Sequence, residues 1–209
     1  MISSAPQALK PRKRPQQRRA SATLDAIFEA TIQLLVKNGL SQLTTTRVAE
    51  RAGVSVGTMY QYFPHKQALI YAVNERYLEL LAERIEATCR ECQGNRSGDM
   101  IEALIETYWK AKTDKPDVTR ALYRSVVEMD NEALISAFAA RTDAAVTTML
   151  ASASDNDGSD ARSNTRTLVT IIFGAVRNSF ERGHSGDVAE DLRRQLVIMC
   201  RGYLERHVR

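Results

Sequence analysis

Four carboxylates lie at spacings that would suit acid–base catalysis: Glu102, Glu106, Glu128 and Asp130. Each follows helical spacing and has basic neighbours, which is typical of a solvated helix surface. No nucleophile, glycine-rich phosphate loop or metal-binding motif accompanies them. We therefore predict that the chain is not an enzyme and that it binds no metal ion or cofactor.

Cys89 and Cys92 have the CxxC spacing found in thiol redox sites and zinc sites. A zinc site needs two further ligands nearby, whereas the third cysteine is Cys200 and the histidines are residues 65, 184 and 207. The βαβ context of a thioredoxin-like site is also absent. Cysteines at i and i+3 share one face of a helix, so a redox switch is one interpretation. The alternative is that both cysteines are incidental.

Basic residues are concentrated at the N-terminus. The first 20 residues contain six basic residues, three prolines and no acidic residue. The first 66 residues carry a net charge of +7, so the remaining 143 carry −3 of the total of +4. This asymmetry is typical of a nucleic-acid-binding end joined to a different module, although a solvated tail has the same composition. We predict a flexible basic arm over residues 1–20.

The most informative stretch is residues 44–62. It contains two short predicted helices, at 45–52 and 56–62, which are joined by a turn at residues 53–55. A turn of three or four residues with a glycine, placed between two short helices, is the helix-turn-helix arrangement.

Individual residues in this stretch have the types that the arrangement needs. Gly53 is predicted to adopt the left-handed conformation at the turn. Thr44 and Ser55 are predicted to cap the two helices, because their hydroxyls can accept hydrogen bonds from unpaired amides. Gly57 has no side chain, so it allows the first turn of the second helix to approach DNA closely.

The stretch from Leu43 to Lys66 resembles the DNA-binding domain of the tetracycline-repressor (TetR) family. The family's AGVS is present at residues 52–55 and its GTxYxYF at residues 57–63, with the following lysine in register at Lys66. An amphipathic helix precedes the motif, so that the resemblance covers about residues 22–72. Beyond that range only length and helicity agree with the family.

The resemblance implies DNA contacts for residues in and around the two short helices. Thr45 would hold a phosphate, Thr46 would face base edges, and Lys66 would neutralise a phosphate at the start of the next helix. Tyr60 and Tyr62 would bond phosphates and pack against sugars. The predicted DNA-binding set is Thr45, Thr46, Ser55, Val56, Gly57, Thr58, Tyr60, Gln61, Tyr62, His65 and Lys66.

Two positions depart from the family's usual base-reading residues, because Thr46 and Val56 are not long polar side chains. Sequence readout would then rest on Gln61, on a thymine-methyl contact from Val56 or Thr58, and on DNA shape. A core-packing role for Tyr60 stays open as an alternative to DNA contact.

Two apolar helices are predicted near the C-terminus, at about 162–181 and 187–207. The apolar residues of the first cover too wide an arc for one buried surface, and Gly174 and Ala175 permit the close approach of another helix. Two such helices from each subunit can form a four-helix dimer interface, whereas core packing in a monomer is the alternative. The resemblance implies dimerisation through the last two helices, and we predict a homodimer.

Aromatic and basic residues of the second half suggest a pocket for a small-molecule effector. Arg177 is the most suggestive because it interrupts an apolar helix, although an ion pair at the dimer interface explains it equally well. The predicted ligand-binding set is Trp109, Tyr123, Arg120, Arg124, Phe173 and Arg177.

The elements that position all of these residues are predicted to be helices. Only two prolines follow residue 20, and no alternating apolar run is long enough for a strand. We predict an all-α chain with the arm at 1–20, a three-helix DNA-binding domain at 21–66, and a helical effector-binding and dimerisation domain at 67–209. The helices are expected from Ser21 to about residue 38 and at 45–52, 56–62, 66–91, 99–112, 117–127, 130–152, 162–181 and 187–207.

These features predict a cytoplasmic, nucleoid-associated bacterial regulator with no membrane segment. Its expected partners are double-stranded operator DNA, a second copy of the chain and an unknown small-molecule effector. The predicted function is that of a ligand-responsive repressor, which the effector releases from a palindromic operator. A thiol redox-sensing regulator and a nonspecific architectural DNA-binding protein are the alternatives.

Overall fold

The computed structural model describes residues 18–127, 131–156, 158 and 160–206. Over these residues the chain is helical and has no strand, which confirms the all-α prediction. No helix in this part of the chain is long and apolar enough to cross a bilayer. The helices are α1 (Arg18–Asn38), α2 (Thr45–Ala52), α3 (Val56–Tyr62), α4 (Lys66–Glu91), α5 (Ser97–Thr113), α6 (Pro116–Val127), α7 (Glu132–Ala151), α8 (Ala161–Glu181) and α9 (Gly186–Arg206).

The start of α1 differs from the prediction. The sequence predicts a start at Ser21, whereas the helix begins at Arg18. Arginine and alanine are good helix formers and the last proline of the arm is Pro15, so nothing in the sequence stops α1 from extending back to Arg18. Residues 18–20 of the predicted flexible arm are therefore helical, and the rest of the arm lies outside the described residues.

The packing divides the chain into two compact units. The first comprises the residues up to Leu78 together with Asp117–Ala137, and the second comprises Glu79–Pro116 together with Phe138–Arg209. The helix-turn-helix therefore belongs to a unit that also contains the first half of α4 and all of α6 except its first residue. The predicted boundary between the DNA-binding domain and the effector-binding domain, after residue 66, stays a prediction, because the division into compact units describes packing and not function.

One apolar core holds the first unit together. Leu122 of α6 joins this core and is 1% exposed. Next to it, the hydroxyl of Ser125 donates a hydrogen bond of 2.9 Å to Oδ1 of the fully buried Asn74 on α4. The long-range contacts of α6 thus fix it to the helix-turn-helix unit. Core residues from the other helices and the segments between them include Ile27, Leu43, Val48, Met59, Phe63 and Leu69.

The second unit is built on the mutual packing of α5, α8 and α9. Its fully buried side chains include Ile105 of α5 and Leu168 and Ile172 of α8. Ion pairs join α5 to α9 at the edge of this core: Arg193 with Glu106, and Arg201 with Asp99 and Glu102.

Candidate DNA-binding surface

Local hydrogen bonds fix the ends of α2 and α3 and the turn between them. Gly53 has φ 67° and ψ 31°, the left-handed conformation predicted for it, and its amide donates to the carbonyl of Glu50 at 3.2 Å. Thr44 Oγ1 accepts from the Arg47 amide at 3.2 Å, and Ser55 Oγ accepts from the Thr58 amide at 3.0 Å. Both predicted caps are confirmed, and the bounds of α2 and α3 agree with the prediction.

One face of α3 is exposed to solvent. Val56 is 42% exposed and Tyr60 is 45% exposed, and Gly57 and Gln61 are exposed beside them. These four positions lie on one side of the helix, because residues one turn apart share a face. Met59, on the opposite side, is fully buried. Tyr60 is therefore not a core aromatic, and we define Val56, Gly57, Tyr60 and Gln61 as the α3 face.

Two members of the predicted DNA-binding set lie largely within the core. Thr45 and Tyr62 are each 8% exposed, and the Tyr62 ring packs at a tilt on Phe63 with 6.3 Å between ring centroids. Thr46, the next residue along α2, is exposed. The phosphate contacts predicted for Thr45 and Tyr62 stay predictions. In this conformation the two side chains expose little surface that could make such contacts.

His65 and Lys66 have structural partners at the start of α4. His65 Nδ1 accepts a hydrogen bond of 3.2 Å from the Ala68 amide, so His65 caps α4. Lys66 Nζ donates a hydrogen bond of 3.3 Å to the carbonyl of Leu40. This cap is absent from the sequence-based prediction, although the position of His65 directly before the helix is a usable signal.

Arg47 is an exposed basic residue of α2 that the predicted set omits. It follows Thr46 directly, and its guanidinium donates a hydrogen bond of 2.8 Å to the carbonyl of Gln42. The charge at this position is visible in the sequence, but no motif identifies it. Arg47 adds positive charge to the surface that contains Thr46 and favours the approach of a phosphate backbone.

The predicted ligand-binding residues fall in both compact units. Arg120, Tyr123 and Arg124 lie on α6 in the first unit, where Arg120 and Arg124 line a cavity. Arg177, on α8 of the second unit, is exposed, and its Nε donates a hydrogen bond of 2.8 Å to Glu181.

The aromatic residues of the second unit pack against each other. Phe173 stacks on Tyr108 with 4.1 Å between ring centroids and an interplanar angle of 13°. Phe138 lies at a tilt 6.0 Å from Phe173, and Trp109 packs partly buried on the same core. These contacts give Phe173 and Trp109 packing roles in this conformation.

The two thiols of the CxxC pair differ in exposure, because Cys89 is buried and Cys92 is half-buried. Burial raises the pKa of the Cys89 thiol to about 12 and also raises the pKa of Cys92. Thiolate is the reactive form, so both environments disfavour oxidation chemistry at neutral pH. The redox alternative gains no support from this geometry.

Comparison with known families covers most of the chain. Residues 27–73 match the family of bacterial regulatory proteins called the tetR family, and residues 98–204 match the tetracyclin repressor-like C-terminal domain. The chain belongs to the TetR family of transcription regulators. This finding confirms the resemblance and extends it from the helix-turn-helix into the second half of the chain.

Two similar proteins have different functional descriptions. The nucleoid occlusion factor SlmA of Haemophilus ducreyi is 32% identical over 109 residues, which are 52% of this chain and 53% of SlmA. The HTH-type transcriptional repressor KstR of Rhodococcus jostii is 31% identical over 107 residues, which are 51% of this chain and 49% of KstR. The chain thus spans about half the length of the curated relatives it matches.

A solved structure shares the fold over nearly the full length. The complex of SmeT with triclosan, from Stenotrophomonas maltophilia, has a TM-score of 0.66 at 18% identity and covers 86% of this chain and 90% of that chain. At this identity the likeness establishes the fold alone.

Proposed function

We propose that the chain is a transcriptional repressor that reads operator DNA with the α3 face and is released by a small-molecule effector. The observation that carries this proposal is the exposure of Val56, Gly57, Tyr60 and Gln61 on one side of a capped recognition helix. A recognition helix enters the major groove with its N-terminal residues against the base edges. Val56 and Gly57 occupy that end of α3.

The side chains of the α3 face favour particular bases. A glutamine in the major groove can bond adenine at N6 and N7 together, and an apolar side chain can contact the methyl group of thymine. Gln61 and Val56 therefore favour A·T pairs in each half-site. Tyr60 has a hydroxyl and a ring for contact with the phosphate and sugar beside them.

Two similar proteins support the regulatory part of the proposal. KstR is described as a transcriptional repressor, and SmeT has been solved with triclosan, a small molecule. A repressor is released when its effector binds better to a conformation that fits the operator poorly.

The exposed apolar side chains of α8 and α9 support dimerisation through these helices. Val188, Leu192, Ile198 and Met199 of α9 are 39–62% exposed, and Ile171 of α8 is 37% exposed. Positions 188, 192 and 199 share one face of α9. Exposed apolar side chains of this kind are typical of a protein interface, and a two-fold dimer places the same surface on both subunits.

Selection of bound sequences from a pool of random DNA duplexes tests the proposal with the full chain. We expect a palindromic consensus whose half-sites are about 10–10.5 base pairs apart, or a multiple of that spacing. Gln61→Ala is expected to relax the preference for one A·T pair in each half-site, whereas the control Gln93→Ala, an exposed residue after α4, leaves the consensus unchanged. Binding without sequence enrichment would contradict the proposal and favour an architectural DNA-binding protein.

A further inference from the structure

A cavity of about 560 Å³ lies within the first compact unit, between the C-terminal end of α1 with its following turn and residues 117–124 of α6. Its volume is within the range of small-molecule sites. The reading of DNA by the α3 face does not use it. Both walls belong to the unit that carries the helix-turn-helix.

The two walls of the cavity differ in chemistry. Leu35, Val36 and Leu40 line the wall from α1 and its turn, and Val36 is 42% exposed. Arg120 and Arg124 line the wall from α6 at a spacing of i and i+4, which places their side chains on one face of that helix.

The charges of the cavity define the class of ligand. Asp117 also lines it and pairs with Arg120 at 3.6 Å, so two guanidinium groups and one carboxylate give a net charge of +1. Guanidinium binds carboxylate through paired N–H donors. A single negative charge attached to an apolar body complements both walls and leaves the cavity electrically neutral.

We propose that this cavity is a regulatory site for a small amphipathic carboxylate, with the carboxylate on Arg124 and the apolar body against Val36 and Leu40. The regulatory part rests on the proposed function. Leu40 lines the cavity, and its carbonyl accepts the hydrogen bond of Lys66, the predicted phosphate contact at the start of α4. A ligand that displaces Leu40 therefore shifts the anchor of Lys66 and changes operator affinity.

Calorimetric titration of the full chain without DNA tests the site, with decanoate as the probe and decanamide as its uncharged counterpart. Arg124→Gln removes the charge and Val36→Trp fills the mouth, while the control Arg84→Gln changes an exposed arginine of α4 that does not line the cavity. We expect saturable decanoate binding that weakens at least tenfold in both test variants and stays within twofold in the control. Decanamide is expected to bind at least tenfold more weakly than decanoate.

The proposed site is overturned if decanoate does not bind saturably, or if both test variants bind it as tightly as the unaltered chain. Equal affinity for decanoate and decanamide would overturn the assigned ligand class. Thermal unfolding of each variant verifies that it is folded.

The regulatory role is tested with the selected operator duplex. Saturating decanoate is expected to change the operator Kd at least fivefold for the unaltered chain and to leave it unchanged for Arg124→Gln. An unchanged Kd at saturation for the unaltered chain would overturn the regulatory role. Failure of the proposed function is distinguishable, because it appears as unselective DNA binding before any decanoate is added.

Discussion

Lys66 Nζ donates a hydrogen bond to the carbonyl oxygen of Leu40, 3.3 Å away, and thereby joins the start of α4 to the turn between α1 and α2. An ammonium group has three donors, so this bond leaves Lys66 able to bind a phosphate as well. The backbone of the turn thus positions a predicted DNA contact, and changes in the turn reach that contact directly.

Lys66→Ala is expected to weaken operator binding by about 1–3 kcal/mol, because it removes the predicted phosphate contact and its anchor together. The slope of log K against log salt should become shallower by about one unit, which a titration at several salt concentrations measures. Lys110→Ala on α5 is the matched control and should alter neither quantity. Identical affinity and slope for Lys66→Ala and the unaltered chain would exclude Lys66 from the interface.

Deletion of residues 1–17 removes four basic residues and leaves α1 complete from Arg18. Basic N-terminal arms bind phosphates or enter the minor groove, so affinity should fall for every DNA sequence. The salt slope should decrease by about 0.9 for each phosphate that the arm neutralises in the complex of the full chain. A truncated chain with the same slope would show that the arm does not bind DNA.

Met199→Glu places a charge on the apolar surface of α9, where Met199 is 62% exposed. We expect the variant to sediment as a monomer and to lose affinity for a palindromic operator, because a two-fold interface contains the new charge twice. Ile135→Glu on α7 alters a residue that is 49% exposed and serves as the control, which should leave the dimer intact. Dimers of equal stability in both variants would contradict dimerisation through α9.

The ion pair between Glu86 of α4 and Arg141 of α7 should make stability depend on pH. Hydrogen bonds from Arg141 hold the pKa of Glu86 below its ordinary value of 4.5, although burial acts in the opposite direction. A lowered pKa in the folded state stabilises the protein above the unfolded value, and this contribution is lost as pH falls through the folded value.

Glu86→Gln should therefore lower the free energy of unfolding by about 1–2 kcal/mol at pH 7, as measured by urea denaturation. The difference should shrink as the pH falls below 4.5. Asp25→Asn is the control, because Asp25 and Arg76 are both more than half exposed and such pairs contribute about 0–1 kcal/mol. A Glu86→Gln effect that does not change with pH would contradict the assignment.

Features that depend on neighbouring residues in the chain are predictable from the sequence. The ends of α2 and α3 follow from the caps Thr44 and Ser55 and from the left-handed Gly53, and each of these residues bonds to a partner only a few positions away. The exposure of Tyr60 and the burial of Tyr62 are not predictable in this way, because the core packed against the short helix α3 decides which tyrosine is covered.

Features that depend on distant parts of the chain are not predictable in this way. The placement of α6 rests on Leu122 and on the bond between Ser125 and Asn74, which are 51 positions apart. The cavity likewise needs the end of α1 beside Arg124. The sequence suggests arginines such as Arg124 as ligand contacts, but it does not show which helix packs opposite them.

Gly57 offers the most direct test of the α3 face, because we expect alanine at this position to raise stability and to weaken DNA binding. An added Cβ would meet only the Ser55 hydroxyl, at 3.8 Å, and alanine stabilises a helix relative to glycine by about 0.5–1 kcal/mol. Gly98→Ala on α5 is the control, since its Cβ would make ordinary contacts with the Arg201 side chain, 3.4 Å away.

The measurement is the operator Kd and the unfolding midpoint of both variants on the same preparations. We expect Gly57→Ala to unfold at the same or a higher temperature while its operator affinity falls about tenfold, with unchanged affinity in Gly98→Ala. A Gly57→Ala variant that binds the operator as tightly as the unaltered chain would contradict the placement of this face against DNA.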